Sequence, residues 1–268
     1  MWFIRELAYH QIGRVPLTQH RHSDGDSVEL IQVLDGGGNA LIGDKTYPLL
    51  PGTLLFIDAA GIHALNPQDD ARYCRNKLIV GKSALFRALE TVGGETILHT
   101  FTDHGGSCFT PTPELADKID QVFRLIHQHS SADNSMALWA VLQLIQLAGH
   151  YADAAPPETD PRISAILQYI HAHYAEALTV ERIAAETHLS KYYLCHLFHA
   201  HTGITVMQYL NEQRLISARR LLAQTGRPIA EIAQDCGFGS SSHFCTVFRA
   251  REGISPREFR NKNSSTHT

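Results

Sequence analysis

Long apolar runs and a regular set of cysteines are both missing from this 268-residue sequence. No stretch approaches the ~20 apolar residues of a membrane span, so no membrane-spanning helix is predicted. The first residues have neither a basic start nor a long apolar run, and they do not predict a signal peptide. The five scattered cysteines, an odd number, argue against a disulfide framework. We therefore expect a cytoplasmic protein with no membrane segment.

A large charge of either sign is also missing, since the net charge is only −4. Residues 1–155 contain 11 Lys and Arg against 17 Asp and Glu, a net charge of −6. Residues 156–268 contain 12 against 10, a net charge of +2, together with eight of the 17 histidines. This asymmetry favours a polyanion-binding C-terminal half, although +2 is weakly basic for that role. The length and the hydrophobic content of 44% predict about two ordinary globular domains.

The first 110 residues contain short apolar stretches separated by glycine turns. One stretch, 28–34, precedes three consecutive glycines, and another, 53–57, follows Pro51-Gly52. Short strands at nearly even spacing are typical of an antiparallel barrel or sandwich. We predict such a β domain over residues 1–110.

Residues 111–152 change to the helical spacing of apolar side chains. Two apolar stripes predict an antiparallel helical hairpin, which either only packs on the β domain or also forms a dimer interface. Residues 153–161 contain three prolines and predict an interdomain linker. Residues 162–262, after this linker, have helical patterns throughout.

The same supersecondary unit occurs twice in the C-terminal half. One copy spans 178–203 and the other 228–253. Ile183-Ala184 corresponds to Ile232-Ala233 at a separation of 49 residues, whereas the phenylalanines 198 and 248 correspond at 50. One residue is therefore added in the second turn. This self-similarity over a whole domain predicts two related structural units rather than an unrelated helical bundle.

Each copy has the local signals of a helix-turn-helix unit. Ser190, and either Ser240 or Ser241, are suitable N-caps for the second helix of each unit. Gly203 and Gly253 are suited to end these helices. Gly237 is suited to a turn with positive φ. A long amphipathic helix between the copies would space them, so that both enter successive major grooves of B-DNA.

These residues resemble AraC-type transcriptional regulators. The resemblance is strongest between Arg214 and Pro256 and extends back to about Ile163 in the first copy. It rests on an ordered and specific set: Arg214-Leu215, Ala218, Leu222, Ile229-Ala-Glu-Ile-Ala233, Gly237-Phe238, Phe244, Phe248, Gly253 and Ser255-Pro256. The resemblance implies a sequence-specific DNA-binding regulator, an activator more often than a repressor, and not an enzyme.

The early residues of each second helix that are not committed to the core are predicted to face the DNA groove. Similar regulators usually have an arginine at the positions of His196 and Thr246, where it binds guanine. This departure makes the base preference unpredictable. Lys191, Arg249 and Arg251 are more suited to phosphate contacts. The complete predicted DNA-binding set is Lys191, Tyr192, Cys195, His196, His199, Ser241, Ser242, His243, Cys245, Thr246, Arg249 and Arg251.

The N-terminal half resembles a cupin barrel, the ligand-sensing domain usual in these regulators. The resemblance rests on His20-Arg21-His22 with Glu29 and Gly36, and on Pro51-Gly52 with His63 and Asn66. Two departures are a long spacing between His22 and Glu29, and an Asp at position 58 where Pro is common. The fold implied is α+β: a cupin-like β-barrel with a helical hairpin, followed by an all-α domain with two helix-turn-helix units.

The candidate ligand-binding residues are His20, His22, Glu29, Tyr47 and His63. Four of them, His20, His22, Glu29 and His63, also form a possible site for a divalent transition metal such as Zn, Ni, Fe or Mn. Many barrels with this pattern use the histidines only as pocket walls, so no cofactor is required. A metal-ion sensor and a metal-dependent enzyme fused to a DNA-binding domain therefore remain the alternatives to a sensor of an organic effector.

The expected partners are double-stranded DNA, a small-molecule effector, RNA polymerase and a second copy of the chain. The effector would have to bind the DNA-competent and incompetent arrangements with different affinity.

Overall fold

The computed structural model of the chain describes residues 4–13, 26–91, 94, 105–129, 134–149 and 160–264. It divides the chain into two units, Met1–Thr159 and Asp160–Thr268. Among the helices of the described segments, none is long and apolar enough to cross a membrane.

The first unit is built on two antiparallel sheets. The large sheet has the strand order β1 (Ile4–Ile12), β7 (Cys74–Gly81), β2 (Ser27–Asp35), β5 (Leu54–Asp58) and β8 (Gly106–Phe109). The small sheet has the order β4 (Lys45–Pro48), β3 (Gly38–Ile42) and β6 (His63–Pro67). These strands lie where the alternation of apolar residues and glycine turns predicted them.

The two faces of the large sheet pack against different partners, and β2 shows how the sequence divides between them. Val28 and Leu30 join an apolar cluster that contains helical residues such as Phe123. Ile31 and Val33 join a second cluster that contains residues of the small sheet. Because side chains alternate along a strand, Glu29 lies on the same face as these two. We call this face of the large sheet, together with the residues of the small sheet that pack against it, the inner face, and the opposite face of the large sheet the outer face.

Three helices complete the described part of the first unit: α1 (Lys82–Glu90), α2 (Pro113–His129) and α3 (Asn134–Gly149). The last two form the predicted hairpin, and Pro113 is the first residue of α2 as expected. Their buried residues, among them Ile119 and Leu144, pack in one cluster with the outer face of the large sheet. Residues 151–159, which hold most of the predicted linker, lie outside the described residues.

The described part of the second unit is entirely helical. Its elements are α4 (Pro161–His173), α5 (Val180–Glu186), α6 (Lys191–Thr202), α7 (Val206–Gln224), α8 (Ile229–Asp235), α9 (Ser241–Glu252) and α10 (Pro256–Ser264). Asp160 caps α4 by accepting a hydrogen bond from the Arg162 backbone, and Pro161 is the first helical residue. The α+β class, with antiparallel sheets followed by two helix-turn-helix units, is thereby confirmed.

Candidate nucleic-acid interface and ligand site

The second helix of each helix-turn-helix unit begins and ends at the capping residues that the sequence predicted. Ser190 caps α6 by accepting a hydrogen bond from the Tyr193 backbone. Ser240, of the two serines considered, caps α9 in the same way. Gly203 and Gly253 end these helices in the left-handed region, with φ of 73° and 75°. The two second helices, α6 and α9, therefore begin and end at equivalent positions.

Helix α6 buries one face and exposes the other. Leu194, Leu197 and Phe198 are buried. All five predicted DNA-binding residues of this helix are exposed: Lys191, Tyr192, Cys195, His196 and His199. Tyr192 is 81% exposed, and its ring stacks on that of His196 with centroids 6.4 Å apart. A large aromatic side chain held outside the core is suited to contact a partner.

Helix α9 has the same division, with one difference. Phe244 and Phe248 are buried, and the early polar residues are exposed: Ser241, Ser242, His243, Thr246 and Arg249. Cys245, which was also predicted to face DNA, is half-buried and packs against the core cluster of the second helix-turn-helix unit. Arg251 is half-buried as well.

Two of the predicted phosphate contacts already have carboxylate partners. Lys191 Nζ lies 2.6 Å from Glu181 Oε1, and both side chains are exposed. Arg251 Nε lies 2.8 Å from Glu212 Oε1, where the side chains are only 33% and 24% exposed. Arg249 is exposed on the same helix as Arg251. The charge of Arg251 is therefore partly neutralised within the protein, and Arg249 is better placed to meet a phosphate.

Helix α7 has a buried arginine that contacts both the end of α4 and the turn of the second helix-turn-helix unit. Arg214 Nε donates to the carbonyl oxygen of Tyr174 and its Nη2 to that of Glu176, each at 2.8 Å. Its guanidinium carbon also lies 5.7 Å from the ring centroid of Phe238, in the turn of the second helix-turn-helix unit. Burial lowers the pKa of Arg214, although arginine remains charged at neutral pH. Sequence patterns indicated Arg214 as a motif residue without giving these partners.

The inner face of the first unit brings together three of the five predicted ligand-binding residues. His63 Nε2 lies 3.6 Å from Glu29 Oε1, and both side chains are buried. Tyr47 is buried in the cluster between the sheets, and burial raises its pKa to about 12. The other two, His20 and His22, lie outside the described residues. The inner face thus combines an apolar lining with a few polar groups, as small-molecule sites do.

Further polar residues of this face were not predicted from the sequence. Tyr73, Arg75 and Lys77 alternate along or just before β7, and each is at most 2% exposed. Lys77 Nζ lies 2.7 Å from Glu6 Oε1. The missed signal was the i, i+2 placement of polar and charged residues leading into a stretch that is otherwise apolar.

The metal hypothesis concerns the same residues. Within the segments that the structure describes, no group of three or more His, Cys, Asp or Glu is arranged to hold a metal. Glu29 and His63 supply two donors, fewer than the three or four protein ligands of a zinc site. The two remaining predicted donors are His20 and His22, outside those segments.

Comparisons with known proteins agree with this architecture. The AraC-like ligand binding domain model matches residues 9–148, which is more than half of the chain, and a helix-turn-helix domain model matches residues 183–262. The HTH-type transcriptional activator RhaS of Enterobacter sp. (strain 638) is 27% identical over 258 residues, covering 93% of this chain and 90% of the relative.

Other matches cover a smaller share of the chain. The regulatory protein PocR of Salmonella typhimurium is 37% identical over 113 residues, 42% of this chain and 37% of that protein. The DNA-binding domain of AdpA, solved in complex with a target DNA, is 30% identical with a TM-score of 0.38; the match covers 40% of this chain and 96% of that one.

The chain belongs to the AraC-type family of transcriptional regulators. It is a DNA-binding regulator controlled through a ligand-binding domain.

Proposed function

We propose that the chain activates transcription by placing α6 and α9 in successive major grooves, under the control of a small effector bound on the inner face. The observation that carries this proposal is the set of contacts of Arg214 on α7, which binds the carbonyls of Tyr174 and Glu176 just before the first helix-turn-helix unit and the ring of Phe238 in the turn of the second. Two recognition helices of fixed spacing suit two sites about one helical turn of DNA apart. Relatives such as RhaS are named transcriptional activators, which supports activation rather than repression.

We assign the recognition of DNA bases to the exposed early residues of the two recognition helices, α6 and α9. His196 and Thr246 occupy equivalent positions, and both are exposed. Neither has the bidentate donors of arginine, so we expect a different base preference at these two positions from regulators that have arginine there. Tyr192 and His199 on α6, and Ser242 and His243 on α9, complete the proposed base-reading set.

The effector is assigned to the polar residues of the inner face. Glu29, Tyr47 and His63 are buried or nearly so on this face, and His20 and His22 are proposed to join them. Binding regulates transcription only if the effector has different affinities for the DNA-competent and incompetent arrangements. The test is therefore a comparison of DNA affinity with and without a bound effector.

Dimerisation is assigned to the hairpin of α2 and α3. Trp139 on α3 is 51% exposed and Leu125 on α2 is 36% exposed, whereas Ile126 on α2 and Leu144 on α3 are buried. Large apolar side chains left exposed on neighbouring helices favour a second copy of the chain as partner. A contact with RNA polymerase follows from activation and is part of the same proposal.

The proposal is tested by selecting binding sites from a random duplex pool with the full chain. We expect two base clusters whose centres are about 10 base pairs apart. His196→Ala should remove preference at one cluster and Thr246→Ala at the other, each with a loss of roughly fivefold to a hundredfold. Gln224→Ala, on the exposed end of α7, is the control and should bind as the wild type does. A single cluster, or loss of both clusters in either variant, would contradict the assignment.

A metal ion as the signal is the second candidate, and the contact of 3.6 Å between His63 and Glu29 favours it. Elemental mass spectrometry of the full chain and of His63→Ala decides between the two. About one transition-metal ion per chain, lost in the variant, would establish a metal site. Metal content near zero after incubation with excess ion would exclude the metal ion as the signal and support an organic effector.

A further inference from the structure

One buried arginine of the first unit has only neutral partners. Arg75 is 1% exposed on the inner face of β7. Its Nη2 lies 3.1 Å from Gln11 Oε1, and its Nη1 donates to the carbonyl oxygen of Gly13. Among the described residues, no carboxylate forms an ion pair with it. Buried charges in proteins are normally paired with an opposite charge, because an uncompensated one is costly to desolvate.

The other basic side chains of the inner face each lie near a carboxylate. Lys77 Nζ lies 2.7 Å from Glu6 Oε1. His63 Nε2 lies 3.6 Å from Glu29 Oε1. Among the described basic side chains of this face, Arg75 is therefore the one without a carboxylate at ion-pair distance.

Two hydrogen-bond donors beside this charge are also unused. Arg75 Nε and the Tyr73 hydroxyl are buried and have no hydrogen-bond partner among the described residues. The two side chains are in contact, since the guanidinium carbon lies 5.1 Å from the centroid of the Tyr73 ring. Burial raises the pKa of Tyr73 to about 12, so its hydroxyl stays protonated and remains a donor.

We propose that Arg75 and Tyr73 bind a carboxylate group of the effector. A guanidinium edge and one hydroxyl offer a single positive charge and a few donors, which match a carboxylate better than a doubly charged phosphate. Arg75 and Tyr73 thereby define the effector as an organic acid. This inference rests on the proposed function, because it assumes that the effector occupies the inner face.

The experiment measures thermal unfolding of the full chain by tryptophan fluorescence, with butyrate and benzoate as probes. Butyramide and benzamide are the uncharged controls, inorganic phosphate is the second anion, and ionic strength is held constant. Both tryptophans, Trp2 and Trp139, belong to the first unit, so the signal reports the unit that holds the site. At about 50 mM, we expect at least one acid to raise the midpoint by about 2 °C or more over its amide.

Variants separate a ligand site from a structural role. Tyr73→Phe removes a donor that the described residues leave unused, so without acid its midpoint should equal or exceed that of the wild type. Arg75→Met also removes the hydrogen bonds to Gln11 and to the Gly13 carbonyl, so its acid shift is measured from its own midpoint without acid. Arg75→Met should abolish the acid effect, and Tyr73→Phe should weaken acid binding by roughly tenfold. Arg72→Met, at an arginine whose side chain is 72% exposed, is the matched control and should keep the full effect.

Several results would overturn the inference. These are equal shifts with acid and amide, no shift with any acid, an acid shift that survives in Arg75→Met, and a larger shift with phosphate than with either carboxylate. A failure of the proposed function has a different signature. In that case an acid stabilises the first unit through Arg75, but leaves the affinity for the selected duplex DNA unchanged.

Discussion

The guanidinium of Arg214 lies over the ring of Phe238, with 5.7 Å between the guanidinium carbon and the ring centroid. The same guanidinium donates two hydrogen bonds to carbonyl groups at the end of α4 and just beyond it. One side chain of α7 therefore contacts the segment just before the first helix-turn-helix unit and the turn of the second unit.

Removing this guanidinium should destabilise the second unit. Arg214→Met retains an apolar stem but leaves the carbonyls of Tyr174 and Glu176 without their charged donor. We expect the free energy of unfolding of this unit to fall by about 2–4 kcal/mol. Urea unfolding followed by circular dichroism at the helical band measures it, because the described part of this unit is all-helical.

The matched control is Arg220→Met, at an exposed arginine of the same helix. Arg220→Met should change the free energy of unfolding by no more than about 0.5 kcal/mol. The tryptophan transition, which reports the first unit, should not move in either variant. Equal effects of the two substitutions would show that Arg214 has no special structural role.

A second prediction concerns the glycine that precedes Phe238. Gly237 has φ of +82°, and a Cβ there would lie 2.6 Å from the carbonyl oxygen of Tyr174. Gly237→Ala should therefore lower the free energy of unfolding by at least about 2 kcal/mol, from backbone strain and from the clash with a backbone atom. Gly239→Ala is the control, because no atom lies within 4 Å of a Cβ at that position. If the two substitutions have equal effects in urea unfolding, the close approach of Gly237 to the Tyr174 carbonyl does not contribute to stability.

The second unit could be predicted well from sequence because its determinants are local. Caps such as Ser190 and terminating glycines such as Gly253 act within one turn of helix. The contact of Arg214 with Tyr174 joins residues 40 positions apart, so no local pattern predicts it. The two copies also differ at one position of the turn. The residue of the first copy that corresponds to Gly237 is His188, which adopts φ of 56° although it is not glycine.

The first unit was predicted less completely, because its site depends on which face each strand turns inward. The motif residues Glu29 and His63 were found from their chemical type and lie together. Arg75 was missed, since a charged residue within a strand is ordinarily solvent-facing. Tyr73 was missed because it precedes the strand and its contact with Arg75 appears only in the fold. Only the packing of the small sheet against the large one shows that this face is buried.

The cap of α4 makes a pH-dependent contribution to stability. Hydrogen bonds from the Arg162 side chain, followed by its backbone N–H, lower the pKa of Asp160 to about 2. A carboxyl whose pKa is lower in the folded state stabilises that state above its unfolded pKa of about 3.9. The contribution is lost as the pH falls from about 4 towards 2. Relative to Asp160→Asn, which can still cap the helix, the wild type should be more stable by about 0.5–1 kcal/mol at pH 5.

The measurement is urea unfolding of both proteins at pH 5, 4 and 3, followed by circular dichroism. The difference between them should shrink as the pH decreases, because protonation removes the charge that distinguishes Asp from Asn. A difference that stays constant over this range would show that the ionised carboxylate contributes no stability.

The two arginines near the end of α9 should differ in how they affect DNA binding. Arg249 is exposed, whereas Arg251 forms an ion pair with Glu212 at 2.8 Å. Each phosphate contact releases counterions, so losing one lowers the slope of log affinity against log salt by about 0.9. Arg249→Gln should lower that slope on any duplex by this amount. Arg251→Gln should leave the slope unchanged and instead lower the free energy of unfolding by up to about 1 kcal/mol.

Non-specific duplex DNA is sufficient for this test, because the phosphate contribution does not depend on base sequence. Binding is measured between about 50 and 200 mM salt, a range over which several phosphate contacts change affinity by orders of magnitude. If Arg251→Gln lowers the slope as much as Arg249→Gln does, the ion pair with Glu212 must open on DNA. The carboxylate would then be a competitor for the phosphate, and Glu212→Gln should increase DNA affinity.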